Sequence, residues 1–178
     1  MSNLKRADVT ALAKRPAAEP WQDAEWQRLW LSARQRNWSS LAIVPGGAGA
    51  PPDFALIIAV TLARIGTMHL GAPVQVADAT NVPLVHLTQL TGEIARLKAE
   101  GELVLVAVAP ARESPITVSL AQSVDCSMLC VLLEAMSALD AHKTIASIGQ
   151  NRFIGQVIFH SVPTAPEAEI NRVRGGIR

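Results

Sequence analysis

Tyrosine is absent from the 178 residues, and cysteine occurs only at Cys126 and Cys130. Two thiols are too few to staple a disulfide scaffold. Charged residues make up only 17% of the chain and hydrophobic ones 49%. A chain disordered throughout shows the reverse balance. Net charge is only +1, which argues against a dominant nucleic-acid footprint. The longest apolar run, Phe54 to Ala63, is too short to span a bilayer. No basic, apolar and small-residue leader opens the sequence. The expectation is a single cytoplasmic domain. A domain of ~150 residues hides roughly two thirds of its unfolded surface, so the chain is long enough to bury a core.

What charge there is lies unevenly. Residues 1–38 carry seven Lys and Arg against four acids, residues 39–164 six against nine, and residues 165–178 three against two. An apolar, slightly acidic body thus sits between two basic ends. Residues 1–20 are rich in Ala, Lys, Arg and Pro, and Pro16 and Pro20 block a continuous helix. They read as a mobile arm, and residues 163–178 as a loose or weakly helical tail.

Between these ends, residues 21–162 read as one α/β domain. Trp26, Leu29, Trp30 and Ala33 recur at helical spacing within 21–37. All four tryptophans, Trp21, Trp26, Trp30 and Trp38, lie in this stretch. They either pack the helix on the body or form a partner-binding surface, because clustered tryptophan also marks interface hot spots. Strands are expected at 41–45, 73–78, 103–109, 127–133 and 154–160. Helices are expected at 54–69, 84–100, 117–124 and 137–148. The 54–69 helix is apolar nearly all round and should be buried. Five strands separated by helices imply a parallel sheet with helices on both faces.

Ligands of such sheets bind beyond the carboxyl ends of the strands. The turn Gly46-Gly47-Ala48-Gly49-Ala50 after the first strand has the look of a phosphate cradle. That cradle needs backbone N–H donors and a cationic side chain. Pro51 and Pro52 supply no N–H, Asp53 would repel a phosphate, and no Lys or Arg occurs between Arg36 and Arg64. Asp53 is instead expected to serve the start of its own helix. Gly47 and Gly49 with Asp78 mimic part of a dinucleotide fingerprint, but Pro52 stands where the third glycine belongs. His69, His86, His142 and His160 show no metal-ligand spacing, and no G-x-S-x-G elbow occurs. The two cysteines read as buried reduced thiols. No metal or cofactor is expected.

The order of elements and several strings resemble the cytoplasmic ATPase domain of bacterial tyrosine kinases and exopolysaccharide chain-length regulators. These are relatives of the MinD/ParA-type P-loop ATPases. Residues 41–66 (LAIVPGGAGAPPDFALIIAVTLARIG) stand in the place of the Walker A strand, loop and helix. VQVADATNVP (74–83) resembles the strand bearing the second acidic motif. Residues 101–135 resemble the strand ending in D-x-P-P with its following helix and strand, and FIGQVIFHSV (153–162) resembles the last core strand.

In this resemblance the Walker A lysine position falls on Pro51 and the magnesium-holding hydroxyl on Pro52. The aspartate of D-x-P-P falls on Ala107, and of the paired acids only Asp78 remains, with Thr80 in the second place. The family's tyrosine-rich tail has no counterpart, and the segment between Asp78 and Leu103 is too short for the family's extra strand. Phosphoryl transfer needs cradle, lysine and metal ligands together.

The resemblance therefore implies a pseudo-ATPase with a degenerate loop at Gly46, Gly47, Gly49, Pro51, Pro52, Asp53 and Asp78. It would act by protein contact in exopolysaccharide or cellulose production. Its partner would be a membrane polysaccharide synthase or copolymerase, or an active ATPase relative, with recruitment to the inner membrane. Homo- or heterodimers are possible on this reading. Two alternatives stay open: a nucleotide- or dinucleotide-binding enzyme or sensor using Gly47, Gly49 and Asp78, and a DNA-repair or division accessory protein.

Overall fold

The computed structural model describes residues 22–176; the expected arm and Trp21 lie outside them. The elements are α1 (Ala24–Ala33), β1 (Ser40–Pro45), α2 (Phe54–Leu70), β2 (Val74–Ala79), α3 (Leu87–Ala99), β3 (Leu103–Val108), α4 (Ile116–Ser123), β4 (Cys126–Leu132), α5 (Ala138–Ile148), β5 (Phe153–Phe159) and α6 (Glu167–Gly176). The five strands form one sheet in the order β2-β3-β1-β4-β5, and every pair is parallel. The fold is the expected α/β sheet with helices on both faces.

Handedness distributes the helices. Crossovers between parallel strands are right-handed. The step from β1 to β2 runs one way across the sheet, and the three later steps run the other way. Accordingly α2 joins α1 on one face, packed on Leu41, Ile43, Leu105 and Met128. The opposite face carries α3, α4 and α5, whose Leu90, Ile94, Leu120 and Ile148 cover Ala42, Val44, Val104 and Val106. Both faces of β1 are covered, so all six of its residues are buried. This is the continuous apolar strand that a two-sided sheet requires.

α2 is the central helix. Eleven of its residues are buried, which agrees with its nearly all-round apolar sequence. It ends at Gly71, whose φ of 67° places it in the left-handed region that favours glycine at a helix C-terminus. Gly66 is required for a different reason: a Cβ there would lie 2.5 Å from the Trp30 ring. The helix turns a bare backbone strip toward a tryptophan.

That contact settles where much of the tryptophan cluster goes. α1 is shorter than the expected 21–37 and starts where the Asp23 carboxylate accepts from the Glu25 N–H at 2.8 Å. Trp30 is 1% exposed, and Trp38 is also buried. Their rings meet edge to face at 6.0 Å. Trp38 Nε1 donates to the Ala33 carbonyl at 2.8 Å, and Trp30 Nε1 donates to His69 Nδ1 at 3.3 Å. Trp26 is half-buried and touches the Phe159 ring at 5.6 Å. As partner-binding candidates Trp30 and Trp38 are therefore corrected: both are core residues of this chain. The exposed apolar side chains nearby are Leu31 and Met68, beside a hollow of about 240 Å³ between α1 and α2.

The tail also differs from expectation. Residues 167–176 form α6, which begins after Pro166 and buries Ile170 in the α1–α2 core. Proline just ahead of a helix is well placed, because its missing N–H would be unpaired there. Ile170 and Val173, three apart, both pack on that core, and Glu169 pairs with Arg64 of α2.

Candidate functional site

The carboxyl end of the sheet is where a ligand of this architecture would bind. The turn after β1 is held there by its neighbour. Gly46 N–H donates to the Cys130 carbonyl of β4 at 2.8 Å, and the Thr144 hydroxyl of α5 donates to the Gly46 carbonyl at 3.3 Å. Gly46 and Gly47 are buried. A Cβ on Gly47 would lie 2.8 Å from the Asp140 side chain. One on Gly49, whose φ is +101°, would lie 2.4 Å from the Ala135 carbonyl oxygen. The glycines are thus needed for close approach of this chain to itself. The segment after β4 and the first turn of α5 lie against the turn.

Asp140 anchors that closure. The Ser137 hydroxyl caps α5 by accepting from Asp140 N–H at 3.0 Å and donates to the Asp140 carboxylate at 2.9 Å. Arg112, from the segment after β3, donates to the same carboxylate at 3.0 Å. The Ser137 hydrogen bond, with the Arg112 guanidinium, holds the Asp140 carboxyl below its ordinary value.

Asp53 and Asp78 form a second cluster at the same end. The Asp78 carboxylate accepts from Thr80 N–H at 3.0 Å and from the Thr80 hydroxyl at 2.6 Å. Its other oxygen lies 3.6 Å from Arg174 Nε. The same guanidinium donates to Asp53. One cation from α6 therefore spans both acids. Asp53 was expected to serve its helix start. It does precede α2, but its side chain makes no capping hydrogen bond and turns to Arg174 instead. Pro51 contributes a carbonyl that accepts from Phe54 N–H at 3.0 Å, and Pro52 is exposed.

The site residues named from sequence thus divide into two groups. Gly46, Gly47 and Gly49 pack on 130–144, whereas Asp53 and Asp78 share Arg174. Sequence reasoning missed Arg174, Arg112 and Asp140. The signal for Arg174 was present in the 3-spaced Ile170 and Val173 after Pro166. Nothing local points to Arg112 or Asp140, which meet only in the fold.

The histidines sit apart: His69 ends α2 as the acceptor for Trp30, His86 closes the 3-10 turn Leu84–His86, His142 lies on α5 and His160 follows β5. Among the described residues no group of three or more His, Cys, Asp or Glu could hold a metal ion. Both cysteines are buried and free. Burial raises both thiols, Cys126 to about 11 and Cys130 further, so they stay protonated at neutral pH, as inert structural thiols do. No described helix is long and apolar enough to cross a membrane. No protein-family model and no curated protein matches this chain.

Proposed function

We propose that this protein is a non-catalytic pseudo-ATPase that works by protein contact in bacterial exopolysaccharide or cellulose production. The observation that carries the non-catalytic part is the closed turn after β1. Ala135 and Asp140 lie against Gly49 and Gly47, and the two positions that follow Ala50 are prolines without N–H groups. A phosphate cradle works through N–H groups aimed at the anion. The second acid is also engaged: Asp78 is shared between Thr80 and Arg174, which disfavours a ribose-binding role. The pathway assignment rests on the resemblance of 41–66, 74–83 and 101–135 to the ATPase domain of export regulators. On this reading the partner is a synthase or copolymerase in the membrane, or an active ATPase relative.

A thermal-shift panel of ATP, ADP, NAD and cyclic dinucleotides, with and without magnesium, tests it. No shift and no ATP hydrolysis are expected at micromolar nucleotide. A magnesium-dependent rise in melting temperature with micromolar ATP overturns the reading. A shift with NAD or a cyclic dinucleotide alone would favour the sensor alternative. Affinity capture from the native cell tests the pathway, with a polysaccharide synthase or copolymerase as the expected prey.

A further inference from the structure

α6 reaches its seat from the far side of the sheet. β5 and β2 are the two edge strands. The chain leaves β5 at Phe159, yet α6 packs on α2 and β2. Residues 160–166 make that crossing without helix or strand, and they include Pro163 and Pro166. Four strand spacings amount to about 19 Å, and a segment of this length reaches roughly 25 Å at full extension. The link therefore has little slack, and α6 cannot slide along α2. It is either seated or off.

The seat is held lightly. Ile170 is buried and Glu169 and Val173 are half-buried, whereas Glu167, Ala168, Asn171, Arg172 and Arg174 are exposed. Ten residues make too short a helix to persist alone in water, and Gly175 and Gly176 at its end have poor helix propensity. Its ion pairs join Glu169 to Arg64, and Arg174 to Asp53 and Asp78. Both arginine side chains are exposed, so salt screens these pairs. An element with few buried contacts and exposed ionic ones lies at the low end of local stability. α2, with eleven buried residues, lies at the other.

The ion pairs also give α6 a direction. Glu169 meets Arg64 within α2, whereas Arg174 meets Asp53 just ahead of α2 and Asp78 near the end of β2. α6 thus runs toward the carboxyl end of the sheet. Its guanidinium spans from the β1–α2 connection to the end of β2, at the end where ligands of this architecture bind. We infer that α6 is a charge-held strap that opens as one unit while the rest of the fold stays closed. Its opening releases Asp53 and Asp78 and bares the apolar seat of Ile170.

Closed, the two carboxylates share the chain's own cation. Open, they are free to meet another cationic group beside an apolar patch. The strap is thus an autoinhibitory contact built from the C-terminal helix. The inference goes beyond the proposed function and does not depend on whether nucleotide binds.

Amide hydrogen exchange of the full chain, followed by NMR, tests it. Amides 171–174 are expected to share one protection factor, about a hundredfold or more below those of α2. Salt at about 1 M, where the screening length is ~3 Å, should lower that factor by about twofold or more and leave α2 unchanged. Arg174→Ala should do the same at low salt. Arg172→Ala, on the exposed side of the same helix, should not. Protection in α6 equal to that in α2 overturns the inference, because the helix would then open only with the whole fold. An α6 without protection at low salt overturns it too, because the strap would have no closed state. So does protection indifferent to both salt and Arg174→Ala, which would leave the seat held by Ile170 and Val173 without charge.

Discussion

The glycine turn and the acid pair lie at the same end of one sheet, yet the chain closes them in opposite ways. The turn is closed by packing: the Ala135 carbonyl and the Asp140 side chain press on Gly49 and Gly47, and Gly46 is bonded to β4. The acid pair is closed by one guanidinium on a terminal helix, with the Arg174 and Asp53 side chains about 40% exposed. Close packing contacts are costly to disturb, and an exposed ion pair contributes little. The first closure belongs to the fold, and the second is a latch on its surface.

The yardstick for that contrast is a core position remote from both. Trp30→Ala should cost about 3–5 kcal/mol, the range for a buried aromatic, read as a lowered denaturation midpoint. An unchanged midpoint would mean that α1 does not hold to α2 as described. Next in size is Gly49→Ala. Its φ disfavours a side chain, and its Cβ meets a carbonyl oxygen. Backbone strain and overpacking each cost ~1–3 kcal/mol, so a loss of roughly 2–6 kcal/mol is expected. A near-neutral result would show that the turn is not tightly closed.

Breaking the latch should matter far less. Asp53→Ala should cost about 0.2–1 kcal/mol, the usual range for exposed pairs, and Arg174→Ala should cost more, because it also takes the cation from Asp78, whose side chain is only 12% exposed. The double mutant should cost less than the sum of the two, since they share one contact. Additive effects would remove the latch from the description.

The smallest effect distinguishes the closures by pH. The carboxyl of Asp140 is held below its ordinary value of 3.8, first by Ser137 and also by Arg112. A depressed folded value means that its contribution is present above about 3.8 and is lost as the pH falls through the lower folded value. Asp140→Asn should therefore lower stability at neutral pH and flatten the acid limb below 3.8. Denaturation midpoints across pH 2–6 check this, and a variant with an unaltered acid limb would exclude Asp140 from it.

Much of the fold was legible because its signals are local. The apolar run 54–63 became the buried α2. The five strands fell within a residue or two of their expected bounds, since runs such as LVLVAV and CSMLCVL are bracketed by turn residues and amphipathic stretches. The glycine turn was legible as a place, but its purpose was not. Three glycines look the same whether they admit a phosphate or a neighbouring carbonyl. Only Ala135 and Asp140, some 90 residues away, distinguish the two. The tryptophans were ambiguous for a similar reason, because a 3–4 spacing names a face without naming what it meets.

The sequence by itself determined the kinds of element and their order. Propensity and periodicity are written within a few residues. Tertiary structure decided the strand order, the burial of Trp30 against the bare backbone of Gly66, the docking of α6 and the exposure of β5. Each of these is a choice of partner between residues far apart in the chain. Such choices depend on shape and on which surfaces remain uncovered once the right-handed crossovers have placed the helices.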